Sequence, residues 1–486
     1  MNGFTGSLKN KRYRVNNLGN SSSEKYKQEW EAVGQERVFR FWKELSSLER
    51  RELLTQLGTL DIKECQKAVQ DFTSIKTTDY QKANPPSFVD GTRPEDPRLS
   101  SFKDCGEEQF SLNKVAAFMV AGGQGTRLGH SGPKGTLKGT PISGKSLFQH
   151  FSESLTYFNQ RFGFFPFWLI MTSPANHNET VRFFEENNNF GIPKGKVRIF
   201  PQDVMPVFDK NGTLLLEEKH RIATSPNGHG GAIGALQKSG VLKLLEDEGV
   251  EHISYFQVDN PLVYCMDPVF TGLHVLSKSQ MTSKAVSKVD PAEKVGLFVQ
   301  LGKKIQILEY SDVPQNITLA REHSGELRFG LGNIAIHLFS LDFIQKLTSG
   351  SRGKTFQLPY HPAVKKVPFI NDLGIPELPQ SPNGTKAETF IFDALPLAEN
   401  PQILKILREE EFAPIKNTKG QDSLDSSKAL QLGRGVNWFS RTKEGLGKKN
   451  LEISPLLAPT LPYFLEEWNK SPDLSKYLKE NRIYLS

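Results

Sequence analysis

Cysteine is nearly absent: three residues in a chain of 486, at Cys65, Cys105 and Cys265. No two are close in sequence, which excludes a CxxC-based zinc ribbon and a dense disulfide framework. Long hydrophobic runs are missing too. The greasiest stretch, Phe162 to Met171, is ten residues long and holds Gly163 and Pro166, too short to span a bilayer. The basic N-terminal stretch MNGFTGSLKNKRYRVNNLG has no apolar segment after it, so no secretory signal is expected. N-x-[ST] sequons, for example at Asn178 and Asn383, then have no glycosylation context. A cytoplasmic, membrane-free protein is expected. Charge of one sign is also scarce. Lys+Arg 61 against Asp+Glu 54 leaves +7, dispersed along the chain without an aromatic–basic module, so a nucleic-acid role fits poorly. Hydrophobic residues at 37% and charged residues at 24% are ordinary globular usage and exclude a wholly disordered chain.

At roughly 150 residues per domain, this length allows about three domains or one large one with appendages. Between Lys25 and Leu57, residues Trp30, Val33, Val38, Phe39, Phe41, Trp42, Leu45, Leu48, Leu53 and Leu54 follow a helical stripe. Pro85, Pro86, Pro94 and Pro97 then indicate a linker. From Lys114 the texture alternates. Val115–Val120, Phe167–Met171, Val197–Phe200 and His252–Val258 are strand candidates, and 178–186 and 232–246 read as helices. Alternation of this kind predicts an α/β fold with a mostly parallel sheet and helices on both faces. Beyond Pro396 the pattern weakens into a polar loop, Asn417–Lys428, and a final helix near Tyr463–Trp468. The expected division is a helical N-terminal region (1–112), a catalytic domain (113–396) and a small C-terminal domain (397–486).

In parallel sheets, ligands sit beyond the carboxyl ends of the strands. The unusual residues of this chain follow the apolar runs. Val115–Val120 is followed by Gly122-Gly123-Gln124-Gly125-Thr126-Arg127-Leu128-Gly129 and then Pro133-Lys134. Closely spaced glycines expose backbone N–H groups, and Arg127 and Lys134 add fixed cations, a combination suited to a polyanion. Thr224–Gly231 (TSPNGHGG) is a second glycine-rich turn opening a helix, with His229 as a possible contact. Asp259 ends the run Ile253–Val258, where a carboxylate can hold a hard cation. Gly139–Ser146 (GTPISGKS) matches the P-loop pattern, with Lys145 as its lysine, but no strand candidate precedes it and Pro141 stands inside it. A P-loop ATPase or kinase is therefore kept as a rival reading, with Lys145 solvated in the bland alternative.

Gly-Gly-Gln-Gly-Thr-Arg-Leu-Gly followed by Pro-Lys resembles the signature of sugar nucleotidyltransferases. More of the chain, in order, resembles UDP-N-acetylhexosamine (UDP-sugar) pyrophosphorylases: Ile170–Ser173, Leu216–Lys219, Val258–Asn260, Leu308–Ser311, Gly332–Ala335, Phe390–Asp393, Glu411–Asn417 and Glu452–Pro455. The resemblance implies a GT-A-like, Rossmann-type catalytic domain that joins UTP and a hexose 1-phosphate into a UDP-sugar and pyrophosphate with Mg²⁺. It implies uracil contacts at Gly122, Gly123, Gln202 and Gly228, with His229 kept as a nucleotide-binding candidate beside them. It assigns phosphate contacts to Arg127, Lys134 and Lys416, and the metal to Asp259. Gly296, Glu309, Asn333, Phe390 and Phe392 are assigned to the sugar. His229 stands where the acetylhexosamine branch usually has Asn, Gly330-Leu331 replaces an Asn-Ala pair, and the segment between Leu432 and Leu451 is short. N-acetylglucosamine 1-phosphate is the expected acceptor, with N-acetylgalactosamine 1-phosphate, glucose 1-phosphate and a nucleotide-sugar sensor without turnover as the alternatives.

Overall fold

The computed structural model describes residues 20–73, 80–349, 358–442, 450–470 and 482–486. They form two compact units. Residues 20–73, 203–231 and 358–391 make one; 80–202, 232–349, 392–442, 450–470 and 482–486 make the other.

The larger unit is organised by a ten-stranded sheet. Across it run Val89–Asp90, Gln402–Ile406, Met281–Ser287, Leu331–Ser340, His252–Gln257, Val115–Val120, Trp168–Thr172 and Val197–Pro201. Along this path every pairing is parallel except the two made by Leu331–Ser340. Gly296–Leu301 pairs antiparallel with the start of that strand and with Lys304–Leu308. The expected mostly parallel α/β sheet is present. Residues 115–119 and 168–172 are all buried. That is why these segments read as continuous apolar runs: both faces of a parallel strand are covered, so alternation disappears. Ala117, Met119, Trp168 and Ile170 share a core with Phe148, Phe151 and Leu155 of the helix Leu147–Phe162.

The smaller unit holds the sheet His361–Lys365, Gly384–Glu388, Val204–Phe208 and Thr224–Pro226. Its core collects Trp30, Phe39, Phe41, Leu53 and Leu57 with Phe208, Ile222 and Tyr360.

Several expectations change. The apolar stripe of 25–57 is three pieces, the helix Asn20–Glu31, a short 3-10 turn Glu36–Phe39 and the helix Ser47–Thr59, whose Ser46–Glu49 capping box starts it afresh. Leu48, on the expected stripe, is exposed. The proline-rich linker contributes the sheet-edge strand Val89–Asp90, and Pro97 opens the helix Pro97–Ser111 behind the N-cap Asp96. The single helix over 232–246 is two, Gly231–Lys238 and Val241–Asp247, broken at Gly240 with φ +76°. The polar loop stops at Ser423, which caps the helix Leu424–Ser440.

The compact units also cut across the boundaries expected at 112 and 396. Residues 80–111 belong with the large sheet, 203–231 and 358–391 leave it, and Gln402–Ile406 is an inner strand of it. Trp438 and Phe439 lie in the same core as Phe148, so the C-terminal segment is not a separate domain. The cause is non-local: a hydrophobic core is closed by segments distant in sequence, and composition shifts do not report which segments meet.

Candidate active site

The glycine loop is held by a residue outside it. Asn176 has no exposed surface. Its Nδ2 donates to Ala121 O at 3.0 Å and Gly123 O at 3.3 Å, while its Oδ1 accepts from Ser173 N at 2.8 Å and Ser173 Oγ at 3.0 Å. Side-chain amides that satisfy several backbone groups at once fix a loop as a rigid body. Gly122 then lies against Gln202: a Cβ at Gly122 would stand 2.9 Å from Gln202 Nε2. A larger residue would have to push the Gln202 amide aside. Gln202 itself is placed by its backbone N–H, which donates to Thr172 O at 2.7 Å.

Past Arg127 the chain turns back. Lys134 N donates to Gly123 O at 3.1 Å, and Gly125 N to Gly132 O at 2.9 Å. This return aims Lys134 across the ends of adjacent strands. Its Nζ lies 3.3 Å from Asp259 Oδ2 and 3.2 Å from Ile415 O. The register Val120↔Gln257 puts Asp259 just past the neighbouring strand, and Ile415 N donates to Asp259 O at 2.8 Å. Asp259 is 9% exposed. Lys416, next along, is exposed, with its Nζ 6.0 Å from the Phe412 ring. Arg127 is exposed as well, and its carbonyl accepts from Thr418 Oγ1 at 2.8 Å. Gly122, Gly123, Gln202, Lys134 and Asp259 are thus gathered at the carboxyl ends of parallel strands, beside the segments that carry Arg127 and Lys416.

Gly296, Glu309 and Asn333 form a second group in the same unit. Gly296 pairs with Asn333 across two strands, and Glu309 directly follows Leu308, the partner of Leu297. Asn333 Oδ1 accepts from Ala335 N at 3.1 Å, and Ala335 has φ +56°. The ladder is interrupted beside Asn333 and resumes, out of register, at Ser283↔His337. Phe392 is 4% exposed.

Gly228, His229 and Phe390 belong to the smaller unit. A Cβ on Gly228 would meet Thr389 O at 2.4 Å, and its φ is +81°, so this turn demands glycine. Ile391 N donates to His229 Nδ1 at 3.2 Å. The His229 ring stacks on Phe390 at 5.4 Å, and His361 stacks on Phe390 at 4.5 Å. His361 and Asn176 were missed in the sequence. Asn176 left a local trace, a Ser-x-x-Asn spacing directly after a buried strand; His361 left none, because it meets Phe390 only through strand pairing.

Gly139–Ser146 is not a phosphate loop. A short 3-10 turn, Lys134–Thr136, and not a strand leads into it. Ile142 N and Ser143 N donate to Glu452 Oε2 at 2.5 and 2.9 Å, so a carboxylate of the chain itself occupies the N–H groups. Lys145, expected to be solvated, is paired with Glu153 and the Tyr484 hydroxyl.

A glycine loop, a carboxylate and a lysine meet at the carboxyl edge of a mostly parallel sheet, where the nucleotidyltransferase resemblance leads one to expect the site. Residues 56–439 match the family described as UTP–glucose-1-phosphate uridylyltransferase, and the chain belongs to that family. The human UDP-N-acetylhexosamine pyrophosphorylase-like protein 1 is 34% identical over 451 residues, covering 88% of this chain and 87% of the relative. The Saccharomyces cerevisiae UDP-N-acetylglucosamine pyrophosphorylase is 32% identical over 429 residues, covering 84% and 89%. The crystal structure of the Trypanosoma brucei uridine diphosphate N-acetylglucosamine pyrophosphorylase superposes with a TM-score of 0.81 at 26% identity, covering 97% of this chain and 99% of that one. A UDP-glucose pyrophosphorylase of Leishmania major, at TM-score 0.56 and 16% identity, shares the fold. Among the described residues no helix is long and apolar enough to cross a membrane.

Proposed function

We propose that this protein transfers the uridylyl group of UTP to N-acetylglucosamine 1-phosphate, releasing pyrophosphate, in the cytoplasm. The observation that carries this reading is the Lys134–Asp259 contact beside the Gly122–Gln202 contact, at the ends of neighbouring strands. The similarity to N-acetylglucosamine pyrophosphorylases over most of the chain favours that acceptor over glucose 1-phosphate. Backbone groups of Gly122 and Gly123 and the Gln202 amide present donors and acceptors to the uracil edge. Arg127, Lys134 and Lys416 neutralise the triphosphate and the departing pyrophosphate. Gly296, Glu309 and Asn333 bind the sugar hydroxyls and the C2 substituent, and Phe392 lines the sugar site.

Among the described residues no group of three His, Cys, Asp or Glu side chains could form a protein-only metal cage. Asp259 alone offers one carboxylate, which suits Mg²⁺, an ion that usually takes one or two carboxylates and completes its shell with phosphate oxygens and water. The ion would supply charge neutralisation at the bridging phosphates. The sugar phosphate oxygen attacks the α-phosphorus in line. It is already ionised at neutral pH, so no side chain need act as base. The protein's work is to position both substrates and to place positive charge where negative charge gathers.

The test is pyrophosphate release from UTP and Mg²⁺ with a panel of hexose 1-phosphates, compared as kcat/KM. N-acetylglucosamine 1-phosphate is expected to lead. Glucose 1-phosphate leading would overturn the acceptor, and UTP binding without release for any sugar would overturn the enzyme in favour of a sensor.

A further inference from the structure

Lys284, in the strand Met281–Ser287, has no exposed surface, an uncommon place for a lysine. Its ammonium meets Asp267 Oδ2 at 2.5 Å and the Glu411 carboxylate, and lies 5.0 Å from the centre of the Phe270 ring and 5.3 Å from that of Tyr264. Asp267 also caps the helix Pro268–Leu276 through Val269 N at 2.9 Å. Glu411, 2% exposed, accepts from Tyr264 N at 3.0 Å with its second oxygen. Three separate segments are thereby tied at one point.

From that point a chain of bonds leads to the phosphate end of the site. Asn260 Nδ2 donates to Glu411 O at 2.6 Å, and Ala413 N returns a bond to Asn260 Oδ1 at 2.9 Å. Ile415 N donates to Asp259 O at 2.8 Å, and Lys134 Nζ donates to Ile415 O at 3.2 Å. Lys416 is the next residue. The far side of the turn is held as well: His150 Nε2 bonds Pro261 O at 2.9 Å and Arg434 Nη1 bonds Leu262 O at 2.8 Å. Burying charged groups is expensive, and packed apolar residues often hold a fold as well or better. Apolar residues, however, would not fix hydrogen-bond register between the 259–264 turn and the 411–416 strap.

We propose that the buried Lys284–Asp267–Glu411 cluster is a positioning device for the reaction, setting the strap 411–416 against the 259–264 turn and so the spacing of Asp259, Lys134 and Lys416. The inference rests on the uridylyltransferase reading above. None of the three side chains touches substrate in this role; they act through the strap.

Two variants test it, each checked for folding by thermal melt. E411D keeps every charge and shortens the side chain by one methylene. The triple variant D267N/K284M/E411Q removes all three charges together. In a folded variant, kcat is expected to fall at least about tenfold and the half-saturating Mg²⁺ concentration to rise several-fold, with KM for the sugar 1-phosphate within about twofold of wild type. A cluster that served folding alone would leave that split flat. Folded variants with wild-type kcat and Mg²⁺ dependence overturn the proposal, and so does loss of fold in both variants, which would make the cluster a stability element. A wild-type protein that releases no pyrophosphate with any sugar overturns the parent reading and the positioning role with it.

Discussion

Two polar contacts, one part-buried at Lys134 and one buried at Asn176, carry most of the residue-scale chemistry. Lys134 answers both Asp259 and the Ile415 carbonyl. Lys134→Ala is expected to lower kcat by about 10²-fold, as for loss of one preorganised transition-state contact, with pyrophosphate release as the measurement. A rate near wild type would remove Lys134 from the mechanism. Asn176 answers the glycine loop from below. Asn176→Ala removes the donor to the buried Ala121 O, and a buried group so abandoned costs about 1–3 kcal/mol, while Gly123 O keeps its bond from Lys134 N. A urea melt should show a loss of about 1–3 kcal/mol, together with a raised KM for UTP. Unchanged KM in a destabilised protein would show that the loop keeps its shape without the clamp.

Among elements, the segment with the most misleading sequence is Gly139–Ser146. Its letters spell a P-loop, yet its N–H groups already serve Glu452, and Lys145 already serves Glu153. Lys145→Ala is therefore expected to leave kcat within about twofold of wild type. It should lower stability by about 2–4 kcal/mol, because the mostly buried Glu153 loses its counter-ion. A dead but stable enzyme would reverse that assignment. The break at Gly240 belongs to the same scale. A helical stripe was legible across 232–246, but the left-handed backbone at Gly240 divides it, and a glycine inside a periodic pattern does not announce which conformation it takes. The expected strands came through nearly intact, since a strand covered on both faces is written as an uninterrupted apolar run.

For the whole molecule, buried histidines decide the acid limb of stability. Burial pushes His150 and His252 down to about 4, and His274 well below its usual value. In the unfolded chain these rings take up protons near pH 6.5. Between that pH and about 4 the unfolded state binds more protons, so stability falls as pH falls through this window. Glu411 works the other way: burial raises it to about 7, so its contribution to stability declines as pH rises from about 4.5 to 7. Burial also lowers His177 and raises Glu153 and Asp422; with the strongest shifts on His150, His252 and His274, a lower Tm is predicted at pH 5 than at pH 7. His150→Gln, which can still donate to Pro261 O, should flatten that slope; an unchanged slope would exclude His150 as a contributor.

The division between sequence and structure follows from the range of the forces involved. Strand order along the chain, the glycine loop after Val120 and the carboxylate after Val258 were legible, because each depends on a few neighbouring residues and one local conformation. The family followed from the order of such pieces. What tertiary structure alone decided is which distant pieces touch: that 203–231 and 358–391 leave the large unit, that Gln402–Ile406 enters its sheet, that His361 stacks on Phe390, and that Lys284 reaches Glu411. Such contacts are chosen by the closure of a shared core and by the need to pair every buried charge, and neither requirement leaves a periodic mark on the chain.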